Sequence, residues 1–510
     1  MKRGGRRNAQ AALYLCAQAL AATGTAAAQD RSGLWRGTAR YPDGATESWT
    51  LHVWSNAGVA HGDLLFDAGS GMVLHDVDRS DGFAFAFQGS GMSGPVQCSL
   101  RGTRTLAGSC TDPSGGSVSL SLETVADGAA PDYRDDGSVR PRAREIGLVV
   151  GVLPTGTHNA ITDVPGVRVG HATVMEGDSI RTGVTAVVPA AGDLYARPVP
   201  AWIHSANGYG KLIGETQVRE FGEIETPVLL TCTLCVWSAA RGLAWTLMDA
   251  DPGPDHTINP VVGETNDSWL NDMWVDPIGP EHVREALANA RSGPVAEGSV
   301  GAGTGTTAFG WKGGIGTSSR LLPASLGGWS VGVLVQTNFG GTLSMNGAPV
   351  GRALGSFSYE AALSVPDAPP QPSAQDGGSL MIVVATDAPL TAAALARLSE
   401  RAMLGAGRTG SFMHNSSGDY VIAFSSAESV RRPRDDPEPR ALPSLSNAQM
   451  SPLFAAVVEA TEEAIYNALL KATTVRGRGR VYKALPLAST RRILEEYGAL
   501  DQNRSLPPRR

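Results

Sequence analysis

Charge is scarce in this 510-residue chain: 18% of its residues are Asp, Glu, Lys or Arg, and the net charge is −7. No dense block of Lys or Arg breaks the pattern, so nucleic-acid binding has no electrostatic footing. Histidine is sparse as well. Its nine copies include His158, His171, His204, His256 and His414, and none falls in H-E-x-x-H or another zinc-like spacing. Neither a metal nor an organic cofactor is expected. The glycine-dense run Gly301–Arg320 fails as a phosphate loop, because Lys312 is followed by Gly313 instead of Ser or Thr. Such glycines still permit close backbone approach to a ligand or to another stretch of chain.

Cysteine is limited to five positions. Cys98 and Cys110 lie 12 apart in two strand-like segments, a disulfide candidate in an oxidising compartment. Cys232 and Cys235 form C-T-L-C without further ligands nearby and read as two small buried side chains. Cys16 lies in an N-terminal stretch that reads as a secretory signal over 1–28. Lys2, Arg3, Arg6 and Arg7 give the positive region, AALYLCAQALAA the apolar one, and Ala26-Ala27-Ala28 the cleavage site. The apolar run is shorter than the roughly 20 residues of a spanning helix. A periplasmic or secreted protein follows, with no membrane contact after signal removal.

What is abundant is apolar surface and glycine: 42% hydrophobic residues and 62 Gly suit a loop-rich globular protein with a large core. Residues 29–125 carry short runs such as ESWTLHVW, GFAFAFQG and SVSLSLETV between Gly, Asn and Asp, the pattern of a small all-β sandwich or barrel. Residues 126–143 are polar and read as a linker. From about 144 to 510, strands such as GVTAVVPA, TPVLLTCTL and SLMIVVATD mix with helical patterns in HVREALANA, TAAALARLSERAMLGA and PLFAAVVEATEEAIYNALLKAT. That mixture predicts an α/β fold with sheets covered by helices.

The junction Gly377-Gly378-Ser379 carries the sharpest chemical signal. A loop rich in Pro, Gln, Ser and Gly (368–378) runs into the β-branched strand that begins at Ser379. Glycine tolerates strained geometry, so the Ser379 hydroxyl is placed to attack the Gly378 carbonyl in an N→O acyl shift. The freed α-amine, with a pKa of about 7.7–8.0, would serve as a base beside its own hydroxyl. Ser417 and Asp419 stand two residues apart and share one side of an extended segment, as a proton relay requires. Asn338, at the end of the apolar strand GVLVQTNFG, offers an amide to an oxyanion. Glu264, flanked by Gly263 and Asn266, offers a carboxylate to an ammonium group.

These segments, in this order, resemble the β-aminopeptidase family, which includes L-aminopeptidase/D-Ala-esterase/amidase enzymes and β-peptidyl aminopeptidases. The matching stretches are ITDVPGVRVGHATV, RTGVTAVVP, NGYGKLIGETQVREFGEIETPVLLT, INPVVGETND, GTGTTAFGWKGGIGTSSR, GVLVQTNFG, GGSLMIVVATDAPL, NSSGDYVIAFS and EATEEAIYNALL, covering about 144–485. The resemblance implies an αββα sandwich, similar in layering to N-terminal nucleophile hydrolases but with distinct connectivity. It implies self-cleavage between Gly378 and Ser379, giving pieces of about 29–378 and 379–510, and a homo-oligomer of the cleaved pairs. It assigns Ser379 as nucleophile, Ser417 and Asp419 as its relay, Asn338 to the oxyanion hole and Glu264 to the substrate amine. Asp419 stands where family members often carry the longer Glu. Cys232 and Cys235 stand where Asn and Ser are expected, and Trp269 follows the GETND segment where the catalytic Tyr of some members finds no clear counterpart. The all-β domain is an addition.

The expected activity is a secreted serine aminopeptidase acting on short peptides, amides or esters of β-, D- or L-amino acids through an acyl-enzyme on Ser379. Two alternatives remain at this stage: an acyltransferase of related fold, against which Ser in place of Thr at the new N-terminus argues, and a non-catalytic secreted binding protein.

Overall fold

A computed structural model describes residues 33–56, 59–66, 69–79, 82–89, 92–125, 140–250, 257–364 and 378–502. The expected signal at 1–28, most of the expected linker (126–139) and the loop up to Gly377 lie outside the described residues.

Eight strands open the chain: β1 (Gly33–Arg40), β2 (Thr46–Asn56), β3 (Val59–Leu65), β4 (Ser70–Asp78), β5 (Phe83–Phe87), β6 (Val96–Arg101), β7 (Thr105–Thr111) and β8 (Ser117–Thr124). Each pairs antiparallel with the next, and β1 also pairs with β8. The ring is therefore a closed barrel, which decides between the two all-β forms left open by sequence and removes the free edges of a sandwich. Alternation fills it: in β8, Leu120 and Leu122 are buried while Ser119 and Ser121 face water. Trp35, Trp49, Phe83, Phe85 and Phe87 complete the interior. Cys98 and Cys110 are direct register partners across β6 and β7 and form the expected disulfide.

The second unit holds two larger sheets. The four-stranded one runs β14 (Val261–Thr265), β13 (Val228–Cys232), β10 (Ile180–Val188), β9 (Arg168–Glu176). The six-stranded one runs β12 (Glu223–Ile224), β11 (Val199–Gly208), β20 (Ser417–Ser425), β19 (Gly378–Thr386), β18 (Ser330–Phe339), β17 (Ile315–Leu321). A short ribbon, β15 (Thr307–Ala308) with β16 (Trp311–Lys312), lies apart. The sheets share one core, in which Val187, Leu230 and Val261 meet Leu334, Met381 and Ile422. On the far face of the four-stranded sheet, Ala186 and Leu229 pack on helices Val236–Ala250 and Pro280–Ala288 through Ala239, Leu243 and Val283. On the far face of the other, Val333, Ile382 and Val421 pack on helices Ala392–Arg408 and Asn447–Lys471 through Leu398, Ala402, Leu453 and Ala460. Strands with both faces covered need no polar alternation, hence the unbroken apolar run of β19.

One local expectation changes. Cys232 and Cys235 are buried as expected, but they are bonded to each other: the C-T-L-C run turns from β13 into helix Val236–Ala250 and brings the two Cα atoms within 5.1 Å.

The barrel is joined to the second unit through a hairpin, β21 (Val475–Gly477) and β22 (Arg480–Tyr482), whose second strand pairs with Ser70–Met72 of β4. Buried Asp63 of the barrel receives Arg476 at 2.9 Å and also Lys483. Burial alone would raise the Asp63 pKa, but the Lys483 and Arg476 charges hold it below the ordinary carboxylate value. Its contribution to stability is thus present above that ordinary value and is lost as pH falls through the lowered one. Replacing Asp63 by Ala takes the carboxylate away from the buried Lys483 ammonium. We expect a loss of about 3 kcal/mol, read as a lower unfolding midpoint at pH 7 and a difference that narrows as pH falls below the ordinary carboxylate value; equal midpoints at pH 7 would refute the linkage.

Candidate active site

Ser379 is the second residue of β19, and its register fixes what stands beside it. On the antiparallel side Ser379 pairs with Asn338 of β18; on the parallel side Gly378 pairs with Ser417 and Ser379 with Gly418 of β20. Side chains alternate along a strand. Ser379 therefore points to the inter-sheet side, like Met381, and so does its partner Asn338. Asn338 Nδ2 donates to Ser379 Oγ at 3.4 Å, while Asn338 Oδ1 accepts the Thr307 N–H at 3.1 Å, which orients the amide. A second donor comes from the four-stranded sheet: the backbone N–H of Asn266 reaches Ser379 Oγ at 3.1 Å. Sequence reasoning did not assign this group. Its only signal was position, two residues after Glu264 at the end of β14.

The cleft in front of Ser379 holds about 520 Å³ and is lined by Glu264, Lys211, Thr233, Trp269, Tyr482 and Ser416 among others. Glu264 is buried at 2% exposure. Its Oε1 accepts the Lys211 backbone N–H at 2.9 Å and lies 3.8 Å from Lys211 Nζ, while its Oε2 is buried with no hydrogen-bond partner. Burial pushes its pKa up, against the pull of the nearby Lys211 charge. The arrangement offers one unsatisfied anionic oxygen to a cation entering the cleft.

Ser417 and Asp419 do share a side: Ser417 Oγ donates to Asp419 Oδ1 at 2.8 Å. Alternation turns them toward the helix-covered face, with Val421, opposite to the Ser379 hydroxyl. By register they stand beside Gly378 and Leu380 of β19. Burial raises the Asp419 pKa to about 6, partly offset by the Ser417 bond. Tyrosine is present at the rim as Tyr209 and Tyr482. Trp269 stacks edge-on against Tyr482 at 5.9 Å and so belongs to the wall of the cleft.

Other sequence features prove structural. Lys312 is fully buried, and its Nζ donates to the Gly303 and Gly313 carbonyls; burial brings its pKa down to about 7. The dense glycines serve approach within the chain itself: a Cβ on Gly314 would stand 2.3 Å from the Gly298 carbonyl oxygen. The chain does contain one Gly-x-Ser-x-Gly spacing, Gly328 to Gly332, but Ser330 opens strand β18 after a turn and is followed by no helix, so it is not a nucleophile elbow. Among the described residues, no group of three or more His, Cys, Asp or Glu is gathered as a metal site would require.

Known proteins similar to this chain share one family. The model of peptidase family S58 matches residues 159–482. Two curated proteins named β-peptidyl aminopeptidase BapA, from Sphingosinicella microcystinivorans and Sphingosinicella xenopeptidilytica, are each 39% identical over 373 residues; these span 71% and 70% of this chain and 93% and 91% of theirs. Among solved structures, a Burkholderia sp. β-aminopeptidase is 39% identical with a TM-score of 0.63, covering 70% of this chain and 99% of its own. The L-aminopeptidase D-Ala-esterase/amidase of Ochrobactrum anthropi is 35% identical with a TM-score of 0.63, covering 71% and 100%. That enzyme is described as a prototype of the serine aminopeptidases and a new variant of the N-terminal nucleophile hydrolase fold.

Asp419→Asn should lower kcat/KM by about 100-fold; a variant as active as the parent would remove Asp419 from the catalytic groups. The chain belongs to peptidase family S58, the family of the β-aminopeptidases.

Proposed function

We propose that the chain is a self-processing aminopeptidase whose nucleophile is Ser379, cutting amino acids from the N-termini of short peptides, amides or esters. The observation that carries this reading is the convergence of two donors, Asn338 Nδ2 and the Asn266 N–H, on the Ser379 hydroxyl in a cleft that also holds Glu264.

Activation starts with attack of Ser379 Oγ on the Gly378 carbonyl. The C–N bond breaks, an ester forms, and water hydrolyses it. Ser379 then carries a free α-amine, poised to take the proton from its own hydroxyl. Ser417 and Asp419 hold that amine from the other face of the sheet. In turnover the substrate ammonium pairs with Glu264 Oε2, and the hydroxyl attacks the carbonyl of the first residue. The developing oxyanion lies within reach of Asn338 and the Asn266 amide, either donor being worth about 3–4 kcal/mol. Water releases the amino acid. Glu264 admits only a chain end, since an internal residue brings no ammonium to balance a buried carboxylate.

The layering of helix, sheet, sheet and helix supports an N-terminal nucleophile type of αββα sandwich, with a strand order distinct from other such hydrolases. The two disulfides support export to an oxidising compartment, periplasmic or extracellular, through the leader at 1–28. The cleaved pairs assemble into a homo-oligomer, for which exposed Trp237, Trp245 and Trp274 offer apolar surface.

On a denaturing gel the purified protein should give two bands, the smaller with the N-terminal sequence Ser379-Leu380-Met381. Ser379→Ala should give one band and no hydrolysis. Asn338→Ala should cut kcat by about 100-fold or more. A wild-type chain that stays whole yet hydrolyses its substrate would overturn the activation route.

A further inference from the structure

The proposed function leaves one charge in the cleft without a task. Lys211 lies on the segment between β11 and the helix Glu215–Phe221, and its ammonium faces the same space as Ser379 and Glu264. Its Nζ donates to Thr233 Oγ1 at 2.7 Å and stands 3.8 Å from Glu264 Oε1. Its side chain is 37% exposed, against 3% for that of Glu264. The cleft thus presents a cation at its accessible side and, a few ångströms deeper, an anion with one oxygen unpartnered.

This pair is poorly suited to a first residue that carries only an ammonium group. Such a substrate would place its charge on Glu264 Oε2 with Lys211 nearby, and the like charges repel. The cost vanishes when the substrate brings an anion of its own next to its ammonium. Its ammonium then meets Glu264, its carboxylate meets Lys211, and four charges alternate around a ring. The tightest fit is a residue with ammonium and carboxylate on one carbon. The similar curated proteins are named β-peptidyl aminopeptidases; a zwitterionic first residue of that β kind, with one methylene between this carbon and the carbonyl to be attacked, is aspartate linked through its side-chain carboxyl.

We propose that Lys211 and Glu264 together read a zwitterionic first residue, and that the preferred substrates are β-aspartyl peptides. The inference rests on the aminopeptidase reading above and names its substrate class. The reaction breaks the amide between the aspartate side-chain carbonyl and the next residue. Water supplies the oxygen of the freed carboxyl, and the leaving nitrogen departs as an amine, so the products are aspartate and the shortened peptide. Thr233 is a positioning residue here: its hydroxyl accepts from the Lys211 ammonium and holds it beside Glu264.

The test compares two p-nitroanilides with the self-cut enzyme: β-aspartyl, and 3-aminobutanoyl, which has the same skeleton with a methyl in place of the carboxylate. The expected kcat/KM is at least about tenfold higher for the β-aspartyl compound, about 1.4 kcal/mol of discrimination. Lys211→Met should reduce that ratio by about tenfold or more, and Lys211→Arg, which keeps the charge, should retain most of it. Parity of the two substrates in the wild-type enzyme would overturn the proposal and needs no variant to be folded. An equal loss on both substrates in Lys211→Met would also overturn it, leaving Lys211 as a prop for Glu264. Hydrolysis of neither compound by an enzyme shown to be cut at Ser379 would also overturn the proposal, and the aminopeptidase reading would fall with it only if that enzyme released no other N-terminal residue either.

Discussion

Everything at the candidate site hangs on the register of three neighbouring strands. β19 runs antiparallel to β18 and parallel to β20, and one residue of slip in either ladder would turn Asn338 or the Ser417–Asp419 pair to the wrong face. The register is held by burial on both sides: Met381 and Val383 lock into the core between the sheets, Ile382 and Val384 into the core under the helices. A slipped strand would exchange these apolar sets and break a continuous ladder of backbone bonds. Ser379, the proposed nucleophile, therefore sits at a strand start and is still positioned by a ladder buried on both faces.

The second constraint is electrostatic. The helix Asn447–Lys471 carries Glu459 and Glu463 into the interior, where both meet fully buried Arg320 of β17, at 3.0 and 2.8 Å; Arg144 adds a further bond to Glu463 at 2.8 Å. The Glu463 carboxylate is desolvated, yet the Arg320 and Arg144 charges bring its pKa below the ordinary value. Glu264 has the opposite balance: its burial is not repaid by its single cation, and its pKa is raised. The same residue type holds the fold together in one place and, in the reading proposed above, receives a substrate cation in the other.

That distinction marks the limit of what the sequence could say. The α/β class, the all-β first domain, Ser379 at a strand start, Asn338 at a strand end and the Ser417/Asp419 pair on one side were legible, because apolar runs and period-two spacing are local properties. The matched stretches GTSSR and EATEE were visible too, but nothing in them told that Arg320, Glu459 and Glu463 bind one another and not a substrate. The Asn266 amide was invisible because any residue has a backbone N–H; only the approach of the two sheets makes this one a donor to Ser379. The helix Val236–Ala250 was missed for a related reason, since its exposed Trp237 and Trp245 blur the usual apolar stripe. Closure of the barrel depended on the β1–β8 pairing, a contact between the ends of the domain.

The same register bears on how a chain cut at 378/379 stays together. In the order β12-β11-β20-β19-β18-β17, the two strands after the cut lie in the middle of the sheet, with strands from before the cut on both sides. Separating the pieces would require breaking the β11–β20 and β18–β19 ladders at once. The barrel adds a third bond of the same kind: β4 precedes the cut, β22 follows it, and the Asp63–Arg476 and Asp63–Lys483 pairs cross between them. β22 ends at Tyr482, which lines the cleft and carries Trp269 on its ring. The added domain thus braces the cleft wall from behind. The proposed cut lies at the head of this buried central strand, so the amine it would create stays held by the ladders on both sides of β19.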